Sequence, residues 1–299
     1  MKVIELYRQD RPVFSFEFFL PKTPESKEAL FSTLKELRGL DPDFVTLTYG
    51  AAGSSREATA EMAGLMKNRF GFETMMHLTG IAHGRFEIEE IVRQAKVLGI
   101  ENLMALRGDI PKEGAVLPSK SRDYKHAVDL VRHLRQLGDW CLGVAGYPEG
   151  HPEALSKEDD LLRLKEKAGA GADFIITQLF FDNSRYFDFV AKARSAGIAQ
   201  PIIPGIMPIT NYAQIQKFAL MCGAVIPNSL QERLDPVQGN SEAVATVGVD
   251  YATEQCEGLL REGVPGIHFY TLNKSRATRE ILKRIRADFK KPPAGVTIA

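Results

Sequence analysis

"GAGADFIITQLFF", residues 169–181, decides between the two folds that the rest of the chain allows. It opens on the only G-x-G of the sequence. A dinucleotide-binding fingerprint follows a strand and opens a helix, where its glycines let backbone N–H groups approach a pyrophosphate. Here the order is reversed: the glycines close the helical stretch "DDLLRLKEKAGA" (159–170) and lead into the β-rich run "DFIITQLFF" (173–181). They read as a helix C-terminus, not as a phosphate loop. An open doubly wound sheet loses its main support, and a closed barrel becomes the first reading.

Working outward from that stretch, short β-rich apolar runs recur along the chain. They are "VFSFEFF" 13–19, "FVTLTYG" 44–50, "TMMHLTG" 74–80, "NLMALRG" 102–108, "CLGVAGYP" 141–148, "DFIITQLFF" 173–181, "PIIPGIMP" 201–208 and "GIHFYTL" 266–272. Segments of helical periodicity lie between them, such as "PESKEALFSTLKELRGL" 24–40 and "EIEEIVRQAKVLGI" 87–100. Eight strands alternating with helices, with no linker or low-complexity segment, predict one α/β domain over residues 1–299, a (β/α)8 TIM barrel.

Composition narrows the function classes. The chain is 44% hydrophobic and 25% charged, with 38 basic against 38 acidic side chains. No basic surplus exists to neutralise phosphates, which argues against nucleic acid or an anionic membrane as partner. "MKVIELYRQDRP" lacks an apolar signal core and no stretch approaches a membrane span, so the expected compartment is the cytoplasm. Cys141, Cys222 and Cys256 have neither disulfide pairing nor CxxC spacing and read as small buried hydrophobes. The six histidines are scattered and HExxH is absent, so no metal site is expected; no GxSxG elbow is present either.

One charge is out of place in this pattern. In "FSFEFFLP" (14–21), Glu17 lies inside a run otherwise almost wholly aromatic and aliphatic, where an unpaired carboxylate is costly to bury. Alternation puts Phe14, Phe16 and Phe18 on one face and Ser15, Glu17 and Phe19 on the other. In a barrel the aromatic face meets the helices and Glu17 points inward near the C-terminal mouth, where barrel enzymes keep their chemistry. Other runs carry polar groups toward the same end: Thr46 and Thr48, His77 and Thr79, Arg107 and Asp109, Tyr147, Thr177 and Gln178. Taken singly, His77 reads as a core histidine, Asp109 as a cap and Gln178 as a backbone partner. Converging on one rim, they describe a small-molecule pocket.

The stretches "FSFEFFLPKT", "FVTLTYGAAGSSR", "MMHLTG", "MALRGD", "AGYPEGHPEA", "ADFIITQLFFD", "PIIPGIMPI" and "GIHFYTLN" together resemble the methylenetetrahydrofolate reductase family, in order and over nearly the whole chain. The resemblance implies an FAD-containing barrel of one-carbon metabolism. Hydride would pass from NADH or NADPH through FAD to 5,10-methylenetetrahydrofolate, giving the 5-methyltetrahydrofolate used in methionine biosynthesis.

Residue by residue, Glu17 matches the family's general acid, which protonates N10 so that the folate ring opens to a 5-iminium cation. Its apolar surround predicts a pKa raised by desolvation; the structural alternative is a carboxylate paired with a base such as Arg107. Asp109 matches the aspartate beside the pterin and the flavin. Gln178, Gln214, Phe218 and Lys274 fall in the substrate set. Thr48, His77, Arg107, Gly108, Asp109, His126, Ala127, Ala145, Tyr147, His151, Asp160, Arg163 and Lys167 fall in the flavin set.

The chain departs from the family pattern at four places. His126 stands where relatives have tyrosine, Arg163 where they can have asparagine, Glu166 where some have a second basic residue, and Lys274 where arginine is frequent. No segment is expected to form the S-adenosylmethionine-binding regulatory domain of eukaryotic relatives. Two rival classes remain: a folate-binding methyl-transfer barrel without flavin, and a flavoprotein subunit reduced by a partner protein. The choice between NADH and NADPH, and whether the chain forms a homo-oligomer, stay open at this level.

Overall fold

Parallel strands and returning helices alternate from Val13 onward in the computed structural model, which describes residues 1–49, 56–81, 83–109 and 123–288, apart from the side chains of residues 56, 57, 287 and 288. Gly50 and the "AAGSS" that follows it therefore lie outside the described residues. The strands are β1 (Val13–Phe18), β2 (Phe44–Leu47), β3 (Thr74–Thr79), β4 (Asn102–Leu106), β5 (Cys141–Gly146), β6 (Phe174–Thr177), β7 (Ile202–Ile203), β8 (Gly205–Ile206) and β9 (Gly266–Tyr270). The helices are α1 (Pro24–Arg38), α2 (Arg56–Asn68), α3 (Arg85–Val97), α4 (Ala127–Leu137), α5 (Lys157–Gly169), α6 (Asn183–Ser195), α7 (Tyr212–Cys222), α8 (Asn228–Leu234), α9 (Ser241–Arg261) and α10 (Arg276–Asp288).

The deciding glycines behave as their order predicts. α5 ends on Gly169, and Gly171 turns the chain at a φ of 113° before β6 starts. A side chain there would meet Arg135 Nε at 2.9 Å.

The sheet order is β7-β6-β5-β4-β3-β2-β1-β9-β8, and every pairing is parallel. Nine strands make eight staves, because β7 and β8 are one stave interrupted at Pro204. Proline has no N–H for the ladder, which breaks there. Its carbonyl still accepts from His268 N–H at 3.0 Å, tying the last stave to the seventh and closing the ring.

The two faces of β1 go where alternation sends them. Phe14, Phe16 and Phe18 are buried in the layer between barrel and helices, with Leu30, Leu34 and Leu37 of α1. Inside the barrel, Val13, Phe44, Met75, Met104, Cys141, Phe174 and Ile203 fill the N-terminal half. Val3 and Leu6, from the 3-10 turn Val3–Arg8, close it from below. Above this apolar plug lies a buried polar layer of Ser15, Thr46, His77 and His268. Cys141 and Cys256 are buried as expected, whereas Cys222, at the end of α7, is only half-buried. Among the described residues no helix is long and apolar enough to cross a membrane.

Candidate active site at the C-terminal mouth

Register brings Glu17 opposite Thr46 on one side and Tyr270 on the other, with Ser15 opposite His268. Three groups converge on a single carboxylate oxygen, Glu17 Oε2: His77 Nε2 at 3.4 Å, His268 Nε2 at 3.4 Å and Thr46 Oγ1 at 3.5 Å. Ser15 Oγ lies 2.8 Å from His268 Nδ1, so with the proton on Nε2 the ring accepts from Ser15 and donates to Glu17. His77 Nε2 is within ion-pair distance but out of hydrogen-bond alignment, and it has no other partner among the described residues.

This arrangement corrects two expectations about Glu17. Burial does push its carboxyl upward, but the His77 charge, the bond and charge of His268 and the Thr46 hydroxyl more than offset it. Glu17 therefore sits below the ordinary carboxylate value, not above it. Burial also holds His77 below its usual value against the pull of Glu17, so near neutrality a carboxylate faces a neutral His77. Arg107 is not the partner of Glu17; its guanidinium pairs instead with Glu153, at 2.6 and 2.9 Å.

The backbone of Glu17 is fixed as firmly as its side chain. Thr271 N–H and Oγ1 both donate to Glu17 O, the latter at 2.6 Å. Asn273 then clamps the next strand-end residue, accepting from Phe19 N–H at 2.7 Å and donating to Phe19 O at 3.0 Å. To make this clamp the chain passes through two left-handed residues, Leu272 at φ 51° and Asn273 at φ 59°. Such a conformation is unfavourable for leucine and persists where surrounding contacts impose it. The clamp was not read from the sequence, although "FYTLN" contains it.

A second feature opens at the same end of the barrel, between the β4 and β5 strand ends and α5. It is a cleft of about 350 Å³ lined by Arg107, His126, Ala127, Ala145, Tyr147, His151, Asp160, Arg163 and Lys167, nine of the thirteen residues in the expected flavin set. Lys167 lies at its floor and donates to Ala145 O at 2.6 Å; burial lowers its amine to about 8, opposed by the nearby Asp160. Asp160 accepts from His151 N–H at 3.3 Å, and burial raises its carboxyl. Arg163 bonds Glu166 at 3.2 Å and lies 3.8 Å from Asp159, so two of the departures from the family pattern, Arg163 and Glu166, are paired with each other. His126 caps α4, exposed, at the outer end.

The other four flavin-set residues stand off this cleft. Thr48 accepts from Leu20 N–H at 3.4 Å, His77 belongs to the Glu17 cluster, and Gly108 and Asp109 follow Arg107 at the rim. Gly108 has a φ of 87°, and a Cβ there would meet Ile81 Cγ2 at 2.6 Å, so glycine is required. Asp109 is exposed and close enough to act electrostatically on Arg107, Tyr147 and Cys222. Within the substrate set, Gln178 is half-buried at the end of β6, its Oε1 accepting from Leu179 N–H at 2.9 Å. Phe218 packs from α7 against the cluster that holds Leu179 and Tyr270. Gln214 is half-buried one turn before it, and Lys274 is exposed beyond the Asn273 clamp. Thr46, expected among the polar strand ends, joins the site; Ser15, His268 and Glu153 complete it and were missed as site residues.

A family model described as Methylenetetrahydrofolate reductase matches residues 2–286. The 5,10-methylenetetrahydrofolate reductase of Pectobacterium carotovorum subsp. carotovorum is 40% identical over 273 residues, covering 91% of this chain and 90% of its own. The protein of the same name from Escherichia coli (strain K12) is 40% identical over 267 residues, with 89% and 88% covered. Methylenetetrahydrofolate reductase (NADH) 1 of Zea mays is 39% identical over 295 residues, 95% of this chain but 50% of its own, so the chain spans half the length of that plant relative. Among solved structures, a Clostridium thermocellum protein described as binding two copies of 5-methyl-5,6,7,8-tetrahydrofolic acid matches with a TM-score of 0.65 at 15% identity, over 96% of this chain and 100% of that one. At that identity the likeness speaks to the barrel fold alone.

Proposed function

The chain belongs to the methylenetetrahydrofolate reductase family, and from that premise we propose that it reduces 5,10-methylenetetrahydrofolate to 5-methyltetrahydrofolate, with NADH or NADPH as hydride source and FAD as the carrier in a ping-pong sequence. The observation that carries the reading is Glu17: a buried carboxylate at the barrel mouth, held through one oxygen by His268 and Thr46 with His77 beside it.

The residues fit a flavin. The cleft is lined by the small side chains Ala105, Ala127 and Ala145 and by the basic Arg107 and Lys167. Off the cleft, in the Glu17 cluster, the buried His77 Nε2 lacks a hydrogen-bond partner among the described residues, as a ligand-facing group does. When bound, FAD would supply two-electron hydride chemistry that no side chain can provide. Arg107 and Lys167 would hold its phosphates, and Asp160 its ribose hydroxyls.

The chain's own part is acid–base and electrostatic. With Oε2 engaged by its neighbours, Glu17 offers Oε1 to the substrate. In the fraction of molecules in which that oxygen carries a proton, its transfer to the folate N10 opens the five-membered ring. His268, bonded to both Glu17 and Ser15, keeps the carboxyl oriented while its charge changes. Asp109, exposed on the rim, stabilises the cationic iminium that results. Phe218 offers an aromatic face that two planar substrates use in turn. NADH is the first donor to test, since the maize relative is named for it.

Anaerobic titration of the FAD-loaded protein decides among the readings. NADH or NADPH alone should bleach the flavin, and 5,10-methylenetetrahydrofolate should restore its colour. Protein that takes up no FAD would support a flavin-free methyl-transfer barrel, and flavin that neither nicotinamide bleaches would support reduction by a partner protein.

A further inference from the structure

The cleft between the β4 and β5 strand ends and α5 pairs its phosphate-binding cations with acids of its own. Its lining carries three basic side chains, Arg107, Arg163 and Lys167, against four carboxylates, Glu153, Asp159, Asp160 and Glu166. Every cation already has a partner: Arg107 has Glu153, Arg163 has Asp159 and Glu166, and Lys167 has Ala145 O and the charge of Asp160. A diphosphate entering here can meet Lys167, whose ammonium has donors left beyond Ala145 O, but it reaches the fork of Arg107 only by taking it from a carboxylate.

We infer that Glu153 is a built-in competitor for the flavin phosphates: its carboxylate holds the fork of Arg107, and a phosphate takes that fork only by displacing it. The inference rests on the cleft being a flavin site.

Geometry singles out this pair. Arg107 Nη1 and Nη2 bind the two oxygens of Glu153 end-on, while Nε donates to Gly108 O at 3.1 Å, so the face of the guanidinium that suits a phosphate is the one in use. Glu153 is 52% exposed, and a released carboxylate passes directly into water. Freeing Arg163 would instead mean parting it from two carboxylates on its own helix, and freeing Lys167 would leave a buried carbonyl without its donor. The Glu153 backbone is pinned separately, its N–H donating to His151 Nδ1 at 3.1 Å, so exchange needs a side-chain rotation and no loop rearrangement. The Glu153 side of the pair is open to water, which keeps the cost of exchanging this contact modest.

The test is equilibrium binding of FAD and of riboflavin, which carries the ring without phosphate, followed by flavin fluorescence at fixed ionic strength. Glu153→Gln keeps the shape and removes the competing charge. It should tighten FAD by about threefold, the scale of an exposed ion pair, and leave riboflavin unchanged. In a chain that also carries Arg107→Met the gain should vanish. FAD affinity that is unchanged or weaker in Glu153→Gln, while the parent binds FAD normally, overturns the inference and assigns Glu153 to aiming Arg107. Equal tightening of riboflavin overturns it too. A parent that binds neither flavin removes the reading of the cleft itself.

Discussion

Replacing Glu17 with glutamine separates a catalytic carboxyl from a structural one, and the structure sets the size of both outcomes. The amide has the same length, and its oxygen can take the place of Oε2 toward His268 and Thr46. Because burial holds His77 below its ordinary value, no imidazolium is stranded there near neutrality when the charge is removed. The cost is that of exchanging charge-assisted hydrogen bonds for neutral ones, about 1 kcal/mol, which lowers Tm by roughly 2–4 °C in a chain of this size. Deleting one side of a buried ion pair would cost about 3–5 kcal/mol. Loss of a general acid should slow the folate half-reaction by about 10²–10⁴-fold, while flavin reduction by nicotinamide, which needs no proton at N10, stays near the parent rate.

The pH profile adds a sign. Glu17 lies below the ordinary carboxylate range, so its protonated fraction rises as pH falls, and the parent's folate half-reaction should accelerate toward acid. The variant should lose that slope. Glu17's stability contribution runs the other way, present above the ordinary carboxylate pKa and lost as pH falls through its depressed value. Stopped-flow traces of each half-reaction and a melting curve read all of this. A stable Glu17→Gln protein that reduces methylenetetrahydrofolate near the parent rate would refute the proton-donor role, and a collapse of both half-reactions with a large fall in Tm would return Glu17 to structure.

Asp109→Asn should slow the folate half-reaction by about 10²-fold or more, the scale of one electrostatic stabiliser. Flavin reduction should suffer less and Tm stay within error, since Asp109 is exposed; equal losses in both half-reactions would mean a pocket-building role. Lys167 gives a pH dependence of binding: its amine titrates at about 8 without ligand and a bound phosphate raises it, so FAD affinity should be full below that pH and fall by up to about tenfold per unit above it. Titrations at stepped pH check this, and Lys167→Met should flatten the curve; a parent curve already flat from pH 7 to 9 would remove Lys167 from the phosphate contact.

Much of the barrel was legible because strands and helices leave different periods in the chain. The same arithmetic that sent Phe14, Phe16 and Phe18 outward sent Glu17 inward. Even the break in the seventh stave is written at Pro204, which cannot donate to a ladder. The environment of Glu17 was not legible. Its two imidazoles come from β3 and β9, and only the register of the closed ring places His77 and His268 against one oxygen. The phenylalanines around Glu17 in sequence face the helices, so the predicted apolar surround belonged to the other side of the strand and the predicted direction of its pKa was reversed. Arg107 was hard to assign for the same reason: a sequence gives a base and several acids, and the fold alone chose Glu153, 46 residues away.

The pairing of β1 with β9 also has a bearing on how the protein comes to be active. It joins Val13 to Gly266 and Glu17 to Tyr270, contacts spanning most of the chain, and such distant pairings are entropically expensive and therefore slow to form. During synthesis, Glu17 emerges 251 residues ahead of His268. Until that last stave docks, the first strand has an open edge and Glu17 lacks one of its imidazoles, Thr271 beneath its carbonyl and the Asn273 clamp. A nascent or partly folded chain can thus bury much of its helical layer while Glu17 is still unheld, and the fixed orientation of its carboxylate arrives with the final act of closure.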